Sequence, residues 1–140
     1  MKLVVRWILI SITTLFLGGC AALQTDAPPV QTSDNTAVIA LLDKAKKQSA
    51  AGRMGEAGAN LERALRIEPR NPLLWHELAL VRLAQGQYRQ AENMAAKSNV
   101  LVGTNRYLQA KNWRIIGEAR SRRGDLQGAR EAFQKAEPSP

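Results

Sequence analysis

Residues 113–136 of this 140-residue chain read WRIIGEARSRRGDLQGAREAFQKA, and they decide the fold. Trp113 and Ile116 stand one helical turn apart, Gly124 interrupts, and Ala129, Phe133 and Ala136 resume a helical spacing beyond it. Side chains three and four residues apart share one face of a helix. Glycine accepts the positive backbone angle needed just past a helix end. A small residue such as Ala129 belongs where two helices approach closely. The stretch therefore reads as a helical hairpin.

The same elements recur upstream. Gly52-Arg-Met-Gly-Glu-Ala57, Gly86-Gln-Tyr-Arg-Gln-Ala91 and Gly124-Asp-Leu-Gln-Gly-Ala129 align, the first two spaced by 34 residues and the second two by 38. From Thr36 onward there is no strand-like alternation and much Ala, Leu, Arg and Gln, so an all-α fold is expected. The spacing predicts helices near 37–50, 54–67, 72–84, 88–100, 106–122 and 126–136. The four extra residues before the third hairpin, about one helical turn, fall around Val102 to Leu108 and either lengthen the fifth helix backwards or widen the loop at Gly103-Thr104-Asn105. Trp75 and Trp113, one turn from Leu78 and Ile116, are expected to fill space between consecutive hairpins.

A two-helix unit with a 34-residue period resembles the tetratricopeptide repeat. Trp113, Ile116, Gly117, Gly124, Ala129, Phe133 and Ala136 fall at that family's signature places, as do Trp75, Leu78, Ala79, Gly86, Tyr88, Ala91 and Ala95. The first repeat matches through Leu41, Ala45, Gly52, Ala57, Leu61, Ala64 and Pro69. The resemblance implies three tandem hairpins, an α-solenoid domain over 36–138 with repeats at about 38–71, 72–105 and 110–138. It also implies a concave face built from the first helix of each repeat, by Ile39, Leu42, Lys46, Ser49 and Ala50, then Leu73, His76, Leu80, Leu83 and Ala84, then Lys111, Arg114, Glu118, Ser121 and Arg122. From these, the candidate partner-binding groove is Leu42, Lys46, His76, Leu80, Lys111, Arg114 and Arg122. It is apolar at one end and basic at the other, suiting aliphatic side chains near Leu42 and Leu80 and a carboxylate near Lys111 and Arg114. The alternative is that these cations are solvated charges on an exposed face. The family's chaperone-tail clamp is not reproduced, since Leu42, Lys46 and Glu77 occupy three of its places.

Upstream of the repeats, Lys2 and Arg6 precede Trp7 to Gly19, a 13-residue uncharged and mostly apolar run. This is the layout of a secretory signal over residues 1–19 and is short for a spanning helix. Leu17-Gly18-Gly19-Cys20 resembles the bacterial lipobox, which implies lipidation of Cys20 and a firm lipid anchor rather than a transmembrane one. Ala21 after the cysteine implies the outer membrane, facing the periplasm. Residues 20–35, rich in Thr, Ser, Asp and Pro, read as a disordered linker with a reach on the order of 20 Å. Cys20 is the only cysteine, so the folded part holds together by packing without an internal disulfide.

The net charge of the chain is +8, and with Lys2 and Arg6 set aside 18 basic residues face 12 acidic ones. Charge alone does not separate nucleic acid, lipid and protein partners. Export argues against nucleic acid, and Arg120-Ser-Arg-Arg123 has a simpler reading at a helix C-terminus, where cations favour the dipole. One histidine, no metal-ligand spacing, no phosphate loop and no nucleophile elbow give no reason to expect an enzyme, a cofactor or a metal. The sequence thus points to a membrane-anchored protein-interaction adaptor or assembly factor of the cell envelope, for work such as pilus assembly, wall synthesis or outer-membrane biogenesis. Two alternatives stand beside it. One is a binder of anionic lipid or wall polymer through the basic third hairpin and Lys44, Lys46 and Lys47, and the other is a purely structural subunit. The outer side of the last hairpin either supports homodimer formation or is already polar enough through Gln127, Arg130, Glu131 and Gln134.

Overall fold

The computed structural model describes residues 33–137; the expected signal segment, Cys20 and most of the linker lie outside them. Six helices follow one another: α1 (Thr36–Ala50), α2 (Met54–Ile67), α3 (Pro72–Ala84), α4 (Tyr88–Leu101), α5 (Arg106–Arg122) and α6 (Leu126–Ala136). Among the described residues there is no strand, and no helix is long and apolar enough to cross a membrane.

Local chemistry fixes where these helices start and stop. Asn35, Asn71 and Asn105 cap α1, α3 and α5, each side-chain oxygen accepting from backbone N–H groups in the first turn. Such caps satisfy donors that a helix cannot satisfy itself. Pro72 follows at the first position of α3, where its missing N–H costs nothing. At the other end α1, α3 and α5 all close alike: Gly52, Gly86 and Gly124 have φ of 74°, 73° and 84°. The N–H after each glycine returns to the helix, Arg53 to Gln48, Gln87 to Arg82 and Asp125 to Arg120, at 2.8 to 3.0 Å. These are Schellman closures. The three glycine turns therefore lie at one end of the array. The caps of α1, α3 and α5 and the connections between hairpins lie at the other.

The predicted boundaries differ from the observed ones only at the start of α1 and the end of α4. The four extra residues lengthen α5, which has 17 residues against 13 in α3. Its added turn is anchored by Leu108, which is fully buried, while Gly103 keeps a positive φ in the preceding loop and its carbonyl accepts from Gln109 Nε2.

Two seams hold the hairpins together, and they are unequal. Between α1, α2 and α3 the core is built from large aliphatic side chains, among them Val38, Leu42, Leu61, Leu65, Leu74 and Leu78. Between α3, α4, α5 and α6 it is built mainly from Ala79, Ala91, Ala95, Ala119 and Ala132, with Ile115 and Ile116 the only large buried members. Alanines bring the helices close but remove little apolar area from water. Polar contacts make up the second seam. Arg120 Nε and Arg123 Nη1 both bond Glu92 of α4, at 2.7 and 2.6 Å, and Arg120 Nη1 donates to the Gly128 carbonyl of α6. Arg82 takes the equivalent place at the first seam, paired with Glu62 of α2.

Trp75 and Trp113 are half-buried rather than enclosed. Trp75 packs against the first cluster and its indole N–H donates to the Pro69 carbonyl at 2.8 Å. Trp113 packs against the second, with the Lys135 ammonium 4.5 Å above its ring.

Candidate partner-binding groove

The side-by-side course of α1, α3 and α5 buries part of the face that was expected to be open. Leu42 is 3% exposed and belongs to the first core cluster, so it supports the groove from beneath. His76 is 6% exposed. Its Nδ1 lies 2.7 Å from Asn112 Oδ1 on α5. Asn112 gives its amide hydrogens to Ser98 Oγ at 2.8 Å and Asn99 Oδ1 at 3.0 Å, so its oxygen accepts and His76 carries its proton on Nδ1. Ser98 Oγ in turn donates to the Pro72 carbonyl at 2.8 Å. This chain of bonds crosses α3, α4 and α5 and forms the polar half of the second seam. His76 and Leu42 are therefore structural in position, because the edges of adjacent first helices meet and exclude solvent there.

Burial pushes the His76 pKa below its ordinary value, outweighing the Asn112 hydrogen bond and nearby Glu77, while Lys111 and Lys46 push the same way as burial. A base with a depressed folded-state pKa binds its proton more weakly in the native state than in the unfolded one. Its contribution is fully present above the unfolded pKa near 6.5 and is lost as pH falls below it. As the only histidine, His76 is the side chain expected to dominate between pH 8 and 5.5. Urea unfolding should give lower stability at pH 5.5 than at pH 8, and His76→Phe should flatten that slope. A slope unchanged in the variant would assign the effect to other groups.

The remaining predicted positions are exposed on one face. Lys46 pairs with Glu77 across α1 and α3 at 3.4 Å. Lys111 lies over the Tyr107 ring at 4.5 Å. Arg114 is exposed and has no ion pair among the described residues. Arg122 bonds Glu118 through Nε at 2.7 Å, which raises its pKa further and leaves its charge secure. Leu80 is 41% exposed. Leu80, Leu83, Ala84 and Tyr88 line one side of a cleft of about 610 Å³ whose other side is Glu118 and Arg122. The structure thus brings Leu80 and Arg122 together and leaves Lys111 and Arg114 further along α5. Tyr88, from a second helix, belongs to this cleft but not to the expected groove. Only the turn geometry at Gly86, which folds α4 back beside α3, places it there.

Among the described residues no group of three His, Cys, Asp or Glu side chains is placed to hold a metal ion. At the last hairpin, Leu126 is 59% and Phe133 40% exposed. Gln127, Arg130, Glu131 and Gln134 are exposed around them.

Stacked hairpins with glycine turns at one end and a face formed by their first helices define a helical repeat scaffold, a class of fold that generally serves protein–protein interaction. The chain belongs to the tetratricopeptide-repeat family, whose model matches residues 48–99. Among solved structures it is similar to the globular C-terminal domain of P. aeruginosa LpoP. The two are 42% identical with a TM-score of 0.71, over 74% of this chain and 98% of that one. It is also similar to the Sgt2 TPR domain from Aspergillus fumigatus, at 27% identity and a TM-score of 0.67, over 77% of this chain and 69% of that one. No curated protein matches it in sequence.

Proposed function

We propose that this protein is a lipid-anchored component of the bacterial cell envelope, attached through Cys20 to the outer membrane, that acts as a non-catalytic adaptor or assembly factor by binding a protein partner. The observation that carries this reading is the open face of α1, α3 and α5, where Leu80 lies beside Arg122 and the exposed Lys46, Lys111 and Arg114 extend the cationic surface. Leu17-Gly18-Gly19-Cys20 supports the anchor, and the likeness to the LpoP domain supports a bacterial setting.

Binding of anionic lipid or wall polymer through Arg120-Ser-Arg-Arg123 gains no support from the geometry. Arg120 is engaged by both Glu92 and the Gly128 carbonyl, and Glu118 and Glu92 stand beside Arg122 and Arg123, so the stretch presents no unbroken cationic surface even though Arg122 and Arg123 each keep free donors. The test is cross-linking in envelopes of the native host, comparing wild type with Lys111→Glu/Arg114→Glu and with Cys20→Ala. Capture of one protein, lost in the double variant, together with release of the Cys20 variant into the soluble fraction, is the expected result. Recovery of lipid or wall material alone would replace the adaptor reading with the surface-binder one.

A further inference from the structure

Two clefts meet at the glycine-turn end of the second hairpin, and Gly86 and Tyr88 belong to both. On one side of Tyr88 is the cleft already described, floored by Leu80, Leu83 and Ala84 and walled by Arg122. On the other side is a cleft of about 460 Å³ that includes Arg89 and Arg123. An aliphatic floor is thus followed by three arginines along a path that runs from the groove over the turn.

We propose that this path receives a short acidic peptide segment of the partner protein, with one aliphatic side chain on Leu80, Leu83 and Ala84, one carboxylate on Arg122, and a second beyond Tyr88 on Arg89 and Arg123. The proposal rests on the adaptor reading and gives that partner a chemistry.

The charges favour an acidic occupant. Residues 106–136 carry eight basic side chains against three acidic ones, so a basic segment would approach a surface of its own sign. The arginines retain donors for it. The Arg122 side chain is 63% exposed and bonds Glu118 only through Nε, which leaves the outer edge of the guanidinium for a carboxylate. Arg123 uses one nitrogen on Glu92, and Arg89 is exposed without an ion pair among the described residues. Glu118 sets the register, because its carboxylate inside the cleft repels a second one and confines the ligand's carboxylate to the rim. The floor supplies what charge alone lacks. Leu80 is an exposed large hydrophobic residue next to a cation, and an aliphatic side chain seated on it makes the contact specific and less sensitive to salt.

The probe is a fluorescein-labelled peptide, acetyl-Glu-Leu-Glu-Leu-Asp-Leu-Glu amide, titrated by fluorescence anisotropy against the full chain in detergent. Its counterpart with every acidic residue replaced by Lys is titrated alongside. Saturable binding of the acidic peptide, at least tenfold tighter than the Lys peptide, is expected. Leu80→Asp and Arg122→Glu should each weaken it about tenfold, whereas Arg63→Glu, an equal charge change on the exposed face of α2, should change it less than threefold. Equal binding of both peptides, no saturable binding up to millimolar concentration, or an Arg63→Glu effect as large as that of Arg122→Glu would overturn the proposal. So would a partner captured in envelopes as strongly by Leu80→Asp as by wild type, and that outcome would leave the adaptor function standing. Circular dichroism of each variant confirms that a loss of binding is not a loss of fold.

Discussion

Asn112→Leu should lower stability by about 2–4 kcal/mol, since it strips partners from buried polar groups without making an obvious cavity. Asn112 is fully buried and is the hub on which three helices meet: it accepts from His76 on α3 and donates to Ser98 and Asn99 on α4. Leucine has nearly the same volume but satisfies none of them. The His76 Nδ1–H loses its acceptor, and desolvation is no longer offset by a hydrogen bond. In a domain of this size the melting temperature should fall on the order of 15 °C. A double-mutant cycle makes the argument specific. Replacing both partners with apolar groups is far less costly than orphaning one, so Asn112→Leu/His76→Phe should be less destabilised than the sum of the single variants. Additive losses, or a loss below about 1 kcal/mol for Asn112→Leu alone, would show that the bond to His76 does not hold the second seam.

Leu74→Ala should cost a similar or larger amount, about 3–4 kcal/mol, for a different reason. Leu74 is completely buried in the cluster between α1, α2 and α3, where its neighbours are other large aliphatic side chains fixed on three helices. Shortening it removes apolar surface from the core and leaves a void that those helices close only in part. The cost is read from urea unfolding at pH 8, where His76 is neutral in both the folded and the unfolded chain and its titration does not enter. A loss below about 1.5 kcal/mol would mean that α3 slides inward to fill the space. The second seam offers few comparable deletions, because its buried members are mostly alanine already. It is the seam more sensitive to polar substitutions, and the first the more sensitive to apolar truncations.

The hairpins were legible in the sequence because their determinants are local. Gly52, Gly86 and Gly124 and the spacing of Ala57, Ala91 and Ala129 act within one or two turns. They fixed the helix boundaries almost to the residue. The groove was legible as a face but not residue by residue. Counting positions along the first helix of each repeat identifies the stripe that points inward, yet the edges of that stripe are covered when α1, α3 and α5 lie side by side. Leu42 and His76 lie on those edges. Lys46, Leu80, Lys111, Arg114 and Arg122 lie on its exposed part. In the sequence Arg120-Ser-Arg-Arg123 speaks only through the helix dipole, a local effect, whereas its main partner, Glu92, is 28 residues away from Arg120. Tyr88 is legible as a repeat position, but its place in the cleft depends on how α4 folds back.

The end of the array at which the chain enters bears on what the cleft can meet. Ser33 Oγ donates to Glu68, so the segment leading into α1 is fastened beside the connection between α2 and α3. The Gly86 turn lies at the opposite end of α3, whose 13 residues span about 20 Å. The cleft is thus set about a helix length away from the point at which the chain enters the array. Counter-ions screen an anionic bilayer's field over about 8 Å at physiological salt. With the proposed lipid anchor, and with the Gly86 end of the array turned away from the bilayer, an acidic segment of a partner would meet the arginines around Tyr88 beyond the reach of the headgroup field. A membrane of the opposite preference can therefore carry an acid-seeking site without masking it.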